Sequence, residues 1–117
     1  MKFLIVDDDL DMACFISATL VCAGVSSDIA ESAGTARELY RRNGYDALIV
    51  DAILAGDSGI CLARELRVLR RDIPVMFCSG ADDAFNRKLM WSLGMVCHKP
   101  LDERFPLDLR RFMRSFA

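Results

Sequence analysis

The side chains best suited to chemistry in this sequence are polar residues that follow short apolar runs. They are Asp7, Asp8 and Asp9 after residues 3–6, Asp51 after residues 47–50, Ser79 after residues 75–78, and Lys99 shortly after residues 95–97. If these runs are parallel strands of one sheet, their carboxyl ends lie at the same edge, where ligands bind in open α/β sheets. The pattern therefore predicts one site that combines carboxylates, a hydroxyl and an ammonium group.

Such a site is suited to phosphoryl transfer to an aspartate. Two unit charges about 4 Å apart repel by about 4 kcal/mol at an effective dielectric of about 20, so clustered carboxylates need a cation. Hard oxygen ligands with open positions suit Mg²⁺ (or Mn²⁺), which also accepts phosphate oxygens. A carboxylate can itself be the nucleophile and form an aspartyl phosphate. Lys99 and the Ser79 hydroxyl would then hold the remaining phosphoryl oxygens.

The elements that must position these residues alternate along the chain. Strands are predicted at residues 3–6, 27–30, 47–50, 75–78 and 95–97, and helices at about 12–23, 33–42, 62–71, 83–93 and 106–116. The continuously apolar runs are typical of strands that are covered on both faces. In the third helix we expect Leu62, Leu66 and Leu69 to face the core and Arg67 to face solvent. Alternating strands and helices predict an α/β fold with a parallel sheet.

Length and composition exclude several other classes of protein. The chain has 117 residues, which suits a single domain over 1–117, and its 53% hydrophobic content excludes a disordered chain. It shows no membrane span and no secretory signal, and its net charge of −2 does not suggest nucleic acid. Its five cysteines include no C-x-x-C pair, so we interpret them as buried hydrophobes in a reducing cytoplasm. A soluble cytoplasmic domain, with no membrane contact and no direct nucleic acid binding, is expected.

Several of these features, in order along nearly the whole chain, resemble the receiver domain of bacterial two-component response regulators. They are Val6-Asp7-Asp8 after the first strand, Asp51 after the third, Gly59 near the start of the third helix, Ser79 after the fourth strand and Lys99-Pro100 after the fifth. The resemblance implies a flavodoxin-like (βα)5 fold, a doubly wound five-stranded parallel sheet with strand order 2-1-3-4-5. It also implies a signalling switch that works by phosphorelay.

The resemblance implies which residues handle the phosphoryl group and which partners supply and read it. Asp51 would accept it from a histidine kinase or a histidine phosphotransfer protein, and Ser79 and Lys99 would contact it there. The domain would be a regulatory phosphoacceptor that catalyses only its own phosphorylation and dephosphorylation, and not an enzyme with a separate substrate. A downstream protein would bind the face formed by about residues 83–93, 95–97 and 106–116.

The resemblance also implies a Mg²⁺ site and an unusual peptide bond. Asp8 would bind the metal directly, Asp7 would act mainly through water, and Asp51 and the backbone carbonyl of Ile53 would complete the protein ligands. The bond between Lys99 and Pro100 would be cis, a form adopted by about 5–6% of X–Pro bonds.

The chain departs from the family pattern at several positions. Ala55 stands where the family often has proline, Ser79 replaces the commoner threonine, and Gly80 stands where alanine is frequent. Val96 occupies the position of the family's switch aromatic, and the stretch 94–99 is about two residues short. The phosphoryl chemistry is expected to be retained, whereas the usual aromatic route from phosphorylation to a surface change lacks its residue.

Two alternative functions remain open on the sequence. A degenerate receiver would bind a partner protein without being phosphorylated, which the missing aromatic and the short stretch both permit. A haloacid-dehalogenase-like phosphatase is suggested by Asp7-x-Asp9. However, that family's closing acidic pair follows its lysine, whereas Asp82 and Asp83 precede Lys99 here.

Structural roles are also expected for a few polar and aromatic residues. Asp9 or Asp11 is expected to cap the first helix. Trp91 is either part of the core or an exposed anchor on a binding face, and the sequence does not separate the two. His98, the single histidine, is expected to be structural or exposed and not catalytic.

Overall fold

A computed structural model describes residues 1–80, 84–99 and 101–116, which form a sheet with helices on both faces. The strands are β1 (Lys2–Val6), β2 (Ser26–Ala30), β3 (Ala47–Asp51), β4 (Ile53–Leu54), β5 (Asp57–Ser58), β6 (Val75–Ser79) and β7 (Met95–His98). The helices are α1 (Leu10–Cys22), α2 (Ala33–Arg42), α3 (Gly59–Leu69), α4 (Ala84–Leu93) and α5 (Phe105–Arg114). Strands and helices alternate as predicted, apart from the short β4–β5 pair.

The main sheet has five parallel strands in the order β2-β1-β3-β6-β7. Without the separate antiparallel pair β4–β5, this is the predicted order 2-1-3-4-5, so the flavodoxin-like fold is confirmed. After β2, at one edge of the sheet, the chain crosses back over β1 and forms β3 on its other side, so the strand order reverses between β1 and β3. The carboxyl ends of these two strands therefore flank the crevice where open α/β sheets bind ligands.

The core has two layers because the strands send alternate side chains to opposite faces. Leu4 and Val6 of β1 pack in the layer that contains residues of α2, α3 and α4. Phe3 and Ile5 pack in the other layer, with buried residues of α1 and α5. Because both faces are covered, β1, β3 and β6 are largely apolar and appear in the sequence as unbroken runs. The edge strand β2 is partly exposed and more polar.

The prediction that the cysteines are buried is wrong for three of the five. Cys14 and Cys22 on α1 and Cys61 on α3 are exposed, whereas Cys78 on β6 and Cys97 on β7 are buried. Successive helix residues point in directions about 100° apart, so apolar neighbours in sequence do not place a helical cysteine in the core. In a strand covered on both faces, either side-chain direction leads inward.

The predicted inner face of α3 is wrong at its last turn. Leu62 and Leu66 are buried as expected, but Leu69 is 67% exposed. Ile73, in the loop after the helix, fills the core instead and is fully buried. Arg67 is half-buried and does not simply face solvent, because its Nε and Nη2 donate to the Ile73 carbonyl at 3.3 and 3.2 Å.

Several predicted boundaries differ from the observed ones by a few residues. β7 extends one residue further than predicted, to His98, and α5 begins at Phe105 and ends at Arg114. α4 begins at Ala84 within the described chain, and the predicted start at Asp83 lies outside it. Among the helices that the structure describes, none is long and apolar enough to cross a bilayer.

Candidate functional site

Backbone pairing brings the ends of β1, β3, β6 and β7 together at one edge of the sheet. The N–H of Asp7 donates to the Ala30 carbonyl at 3.1 Å, which extends the pairing of β1 and β2 by one residue. Asp51 is the last residue of β3. The N–H of Lys99 donates to the Ser79 carbonyl at 3.0 Å, which holds the chain after β7 against the end of β6. This edge therefore holds four of the residues named from the sequence, which are Asp7, Asp51, Ser79 and Lys99.

The Lys99 ammonium joins two of the carboxylates. Its Nζ lies 2.9 Å from Asp51 Oδ2 and 3.1 Å from Asp7 Oδ2. The side chains of Asp7 and Asp51 are 1% and 11% exposed, and that of Lys99 is 18% exposed. These are charge-assisted hydrogen bonds between largely buried groups, so each contact is stronger than it would be at the surface.

Three carboxylates lie close enough to share one cation. Asp7, Asp8 and Asp51 each offer an oxygen, and these oxygens lie within 4.8 Å of one another. Lys99 supplies one positive charge against three negative ones, so the ionised cluster keeps an excess of negative charge. Asp8 is exposed, which leaves the cluster open to solvent on its side. Hard oxygen donors with uncompensated negative charge and an open side fit Mg²⁺ or Mn²⁺.

The electrostatics of Asp7 and Lys99 show that the cluster is not fully neutralised. Burial raises the pKa of the Asp7 carboxyl above its usual value, although the Asp9 N–H and the Lys99 ammonium both oppose this shift. Burial would lower the pKa of Lys99, but its hydrogen bonds to Asp51 and Asp7 outweigh that effect and the pKa is raised. Lys99 therefore stays charged, whereas the charged form of Asp7 is disfavoured.

Backbone N–H groups hold each carboxylate in a defined orientation. Asp7 Oδ1 accepts from the Asp9 N–H at 2.9 Å, and Asp51 Oδ1 accepts from the Ile53 N–H at 3.1 Å. Each of these bonds spans two residues, which makes it an Asx-type turn at the end of a strand. The turns point the other carboxylate oxygens at Lys99.

The β4–β5 hairpin adds a contact that the sequence reasoning missed. The Ala55 N–H donates to Asp8 Oδ2 at 3.1 Å. Leu54 pairs with Asp57, so Ala55 and Gly56 form a two-residue turn in which Gly56 adopts a φ of +72°. A glycine in a two-residue loop is the signal that could have indicated this hairpin, although the strands on each side are only two residues long.

Gly59 allows α3 to begin directly beside the end of β3. Its N–H donates to the Ala52 carbonyl at 2.9 Å. A Cβ at this position would lie 1.7 Å from the carbonyl oxygen of Asp51, far inside van der Waals contact. The glycine that the sequence analysis singled out is therefore required because the helix backbone passes close to Asp51.

Ser79 and Ile53 lie next to the cluster in different surroundings. Ser79 is the last residue of β6 and is 1% exposed. Ile53 is 60% exposed and contributes its N–H to the Asp51 carboxylate, as described above. A Cβ on Gly80 would lie 3.8 Å from Lys99 Cβ, so an alanine would also fit there. The predicted cis bond involves Pro100, which lies outside the described residues.

Asp9 has a structural role, as expected. Its Oδ1 accepts from the N–H groups of Asp11 and Met12 at 3.1 and 3.3 Å, which makes it the N-cap of α1. This engagement directs the Asp9 carboxylate to the helix end, and it is not in the carboxylate cluster that the described residues form. The pair Asp7-x-Asp9 therefore does not form the two-aspartate site of the phosphatase alternative.

The short stretch before Lys99 begins at a glycine that close packing requires. Only Gly94 lies between α4 and β7, and its N–H donates to the Met90 carbonyl at 2.9 Å. A Cβ on Gly94 would lie 2.1 Å from the carbonyl oxygen of Val75, so this tight connection requires glycine. Val96 on β7 is 6% exposed and fills a core position, where it offers no aromatic ring that could move to the surface.

Two residues that the sequence left open are exposed in the structure. Trp91 on α4 is 54% exposed and lines a cavity with Met95 and Phe116. This placement favours the surface interpretation over a place in the core. His98, at the end of β7, is also exposed, which is one of the two placements expected for it.

Comparison with known proteins agrees with this geometry. A family model described as the response regulator receiver domain matches residues 3–104. The transcriptional activator protein IrlR of Burkholderia pseudomallei is 30% identical over 104 residues, which are 87% of this chain and 45% of that protein. A sensor protein from Polaromonas is 31% identical with a TM-score of 0.82, and 99% of this chain and 98% of that chain are covered. A two-component response regulator from Clostridium difficile, 23% identical, has a TM-score of 0.86 over 97% of this chain and 96% of that one.

The chain thus combines a doubly wound parallel sheet with a cluster of carboxylates and one lysine at the carboxyl edge of that sheet. The chain belongs to the family of response regulator receiver domains, which work in two-component phosphorelay signalling. It spans less than half the length of the curated relatives that it matches.

Proposed function

We propose that this chain is a phosphorylation switch in which Asp51 accepts a phosphoryl group with the help of Mg²⁺ or Mn²⁺. The observation that carries the proposal is the Lys99 ammonium placed 2.9 Å from Asp51 Oδ2 and 3.1 Å from Asp7 Oδ2. This lysine bridges two carboxylates at the edge of the sheet where ligands bind. The third carboxylate, Asp8, completes an oxygen set for a divalent cation.

Each residue of the set has a distinct role in the transfer. A carboxylate oxygen of Asp51 attacks the donor phosphorus and forms a P–O bond, while the bond between phosphorus and the donor breaks. Lys99 and the Ser79 hydroxyl bind phosphoryl oxygens on the modified Asp51, and the N–H of Ile53 keeps its other carboxylate oxygen oriented. A divalent cation bound by the carboxylates of Asp7, Asp8 and Asp51 would neutralise charge that develops on the phosphoryl oxygens.

The ligands proposed for that cation are Asp8 directly, Asp7 mainly through water, Asp51, and the Ile53 carbonyl. The N–H of Ala55 holds one oxygen of Asp8. The raised pKa of Asp7 supports a cation at this position, because a buried carboxylate that is poorly neutralised by Lys99 gains most from a second positive charge. Removal of the cation should therefore stop transfer while the fold stays intact.

The proposed partners are a donor and a reader. A histidine kinase or a histidine phosphotransfer protein supplies the phosphoryl group, since the single histidine of this chain, His98, is on the surface and outside the cluster. A downstream protein reads the phosphorylated state on the face of α4, β7 and α5, where the exposed Trp91 and Leu107 offer contact area. The domain turns over no separate substrate.

Intact-mass spectrometry tests the proposal with a small-molecule phosphodonor such as acetyl phosphate. In the presence of Mg²⁺ the wild-type chain should gain the mass of one phosphoryl group, and Asp51→Asn should gain none. Asp57→Asn removes an exposed carboxylate of the nearby hairpin and serves as the matched control, which should label like the wild type. Chelation of the metal with EDTA should abolish labelling of the wild type and of the control.

The outcomes separate this function from the alternative. A wild-type chain that stays unmodified at every donor and metal concentration would indicate a degenerate receiver that binds its partner without phosphorylation. Labelling that persists in Asp51→Asn would place the acceptor elsewhere. Labelling that is unaffected by EDTA would contradict the cation site at Asp7, Asp8 and Asp51.

A further inference from the structure

The surface of α2 and α3 exposes two adjacent aliphatic side chains. Val68 is 80% and Leu69 is 67% exposed, and within the described chain no large apolar side chain is more exposed than these two. They lie at the C-terminal end of α3. Val68 lines two adjoining surface hollows of about 320 and 330 Å³.

The same hollows are rimmed by arginines. Arg37 and Arg41 belong to α2, Arg64 and Arg67 belong to α3, and Arg71 lies in the loop after α3. The side chains of Arg41, Arg64 and Arg71 make no hydrogen bond or ion pair within the part of the chain that the structure describes. The whole chain has a net charge of −2, so this concentration of positive charge is local and opposite in sign to the rest.

Other contacts hold this surface in a defined shape. Arg37 Nε pairs with Glu65 Oε2 and links α2 to α3. Arg67 is held by the Ile73 carbonyl, at 3.3 and 3.2 Å. A preorganised surface loses less conformational entropy when a partner binds. The unpaired arginines therefore surround a fixed apolar centre.

We propose that this surface, the α2–α3 face, binds an acidic protein segment that presents apolar side chains to Val68 and Leu69. Carboxylates of the segment would pair with Arg41, Arg64 and Arg71, and its apolar residues would cover the two exposed aliphatic side chains. An aliphatic centre favours a protein segment over nucleic acid, because single strands bind through stacking on aromatic side chains and no aromatic residue lines these hollows.

The α2–α3 face is remote from the phosphoryl site. Gly59, beside Asp51, begins α3, and Val68 follows nine residues later, which is about 14 Å along the helix axis. Binding at the face should therefore not require an intact Asp51. This separation allows the proposal to fail or succeed independently of phosphorylation.

Fluorescence anisotropy tests the proposal with a labelled, 15-residue amphipathic peptide that carries leucines on one helical face and glutamates elsewhere. The same peptide with lysine in place of glutamate is the charge control. We expect the glutamate peptide to bind and the lysine peptide not to bind. The double variant Arg64→Gln/Arg71→Gln should weaken binding about ten-fold and reduce its salt dependence. Val68→Asn/Leu69→Gln should weaken it by a similar factor while the salt dependence is kept.

Matched controls are available on other helices. Val21 on α1 is 66% exposed, nearly the same fraction as the 67% of Leu69, and Arg110 on α5 is exposed. Val21→Asn and Arg110→Gln should leave the peptide affinity within about two-fold, and so should Asp51→Asn. Thermal unfolding of each variant confirms that it is folded.

Three results would overturn the proposal. They are no binding of the glutamate peptide, equal binding of the lysine peptide, and affinity unchanged by both double variants. If a 20-nucleotide single-stranded DNA binds more tightly than the glutamate peptide, and its binding is lost in Arg64→Gln/Arg71→Gln, the face would be assigned to nucleic acid instead. Sedimentation showing that Val68→Asn/Leu69→Gln dissociates a dimer of the chain would assign it to self-association.

Discussion

Replacement of Lys99 by methionine tests how the site is held together. The substitution keeps most of the side-chain length and removes the charge that bridges Asp7 and Asp51. At about 3 Å and an effective dielectric of about 20, each contact provides about 5 kcal/mol of Coulomb energy. Desolvation of the three groups cancels most of this, and Lys99 is 18% exposed. We therefore expect Lys99→Met to lower the free energy of unfolding by about 3 kcal/mol at neutral pH, the lower end for breaking a buried ion pair.

The pH dependence follows from the protonation states. Burial already raises the pKa of Asp7, and loss of Lys99 raises it further, because the remaining carboxylates repel each other. The variant should therefore be most deficient above that pKa, and its deficit should shrink as the pH falls and Asp7 takes up a proton. In the wild type, the pKa of Lys99 is raised above its usual value of 10.5. Its stabilising contribution is therefore fully present below about pH 10.5 and is lost as the pH rises through the pKa of Lys99 in the folded protein.

Urea unfolding at about pH 7.5 and about pH 4 measures this difference. Lys88→Met, on the exposed side of α4, is the matched control and should unfold like the wild type. Mg²⁺ should restore part of the stability of Lys99→Met, because a cation then replaces the missing positive charge. A deficit of the same size at both pH values would show that packing is responsible, and no deficit at about pH 7.5 would refute the electrostatic reasoning.

Three further predictions concern positions around the site and the fold. Gly59→Ala should destabilise the domain by about 3 kcal/mol or more, since its Cβ meets the Asp51 carbonyl at 1.7 Å. Thermal unfolding measures this loss, and Gly44→Ala, where the added Cβ would meet open space, should leave the stability unchanged in that assay. Tyr45→Phe removes the 2.6 Å hydrogen bond to Asp28 Oδ2 and should cost about 1 kcal/mol in urea unfolding; no change would show that this bond contributes nothing. Addition of Mg²⁺ should leave the fluorescence emission of Trp91 almost unchanged. Trp91 lies beside the start of β7, whereas the carboxylates lie beyond the end of β7, about 13 Å away along the strand. A large spectral shift would contradict that placement.

Much of the fold could be predicted because its strands are buried on both faces. The five runs at residues 3–6, 27–30, 47–50, 75–78 and 95–97 all became strands of the main sheet with small shifts at their ends. The continuous apolar runs of β1, β3 and β6 depend on burial alone, which any fold that covers both faces imposes. Residues 27–30 include Ser27 and Asp28 and gave a weaker signal, because β2 is a partly exposed edge strand. The strand order came from the family resemblance and was confirmed by the register of the pairs.

The exposure of helical residues could not be predicted in the same way. Leu69 continues the apolar stripe of α3 in sequence, yet the helix ends there and Ile73 enters the core instead. The cysteines of α1 and α3 lie among apolar neighbours in sequence and face solvent in the structure. Where a helix stops and which of its turns the sheet covers depend on packing against the rest of the molecule.

By itself, the sequence determined which side chains stand at the ends of the strands, because a polar residue follows each apolar run. Only the tertiary structure decided how those side chains meet. Lys99 lies 92 residues from Asp7 and 48 from Asp51, and its choice of both carboxylates follows from the order in which β1, β3, β6 and β7 pair. The contact of the Ala55 N–H with Asp8 depends likewise on a hairpin too short to leave a periodic pattern. Long-range pairing sets distances that local patterns do not contain.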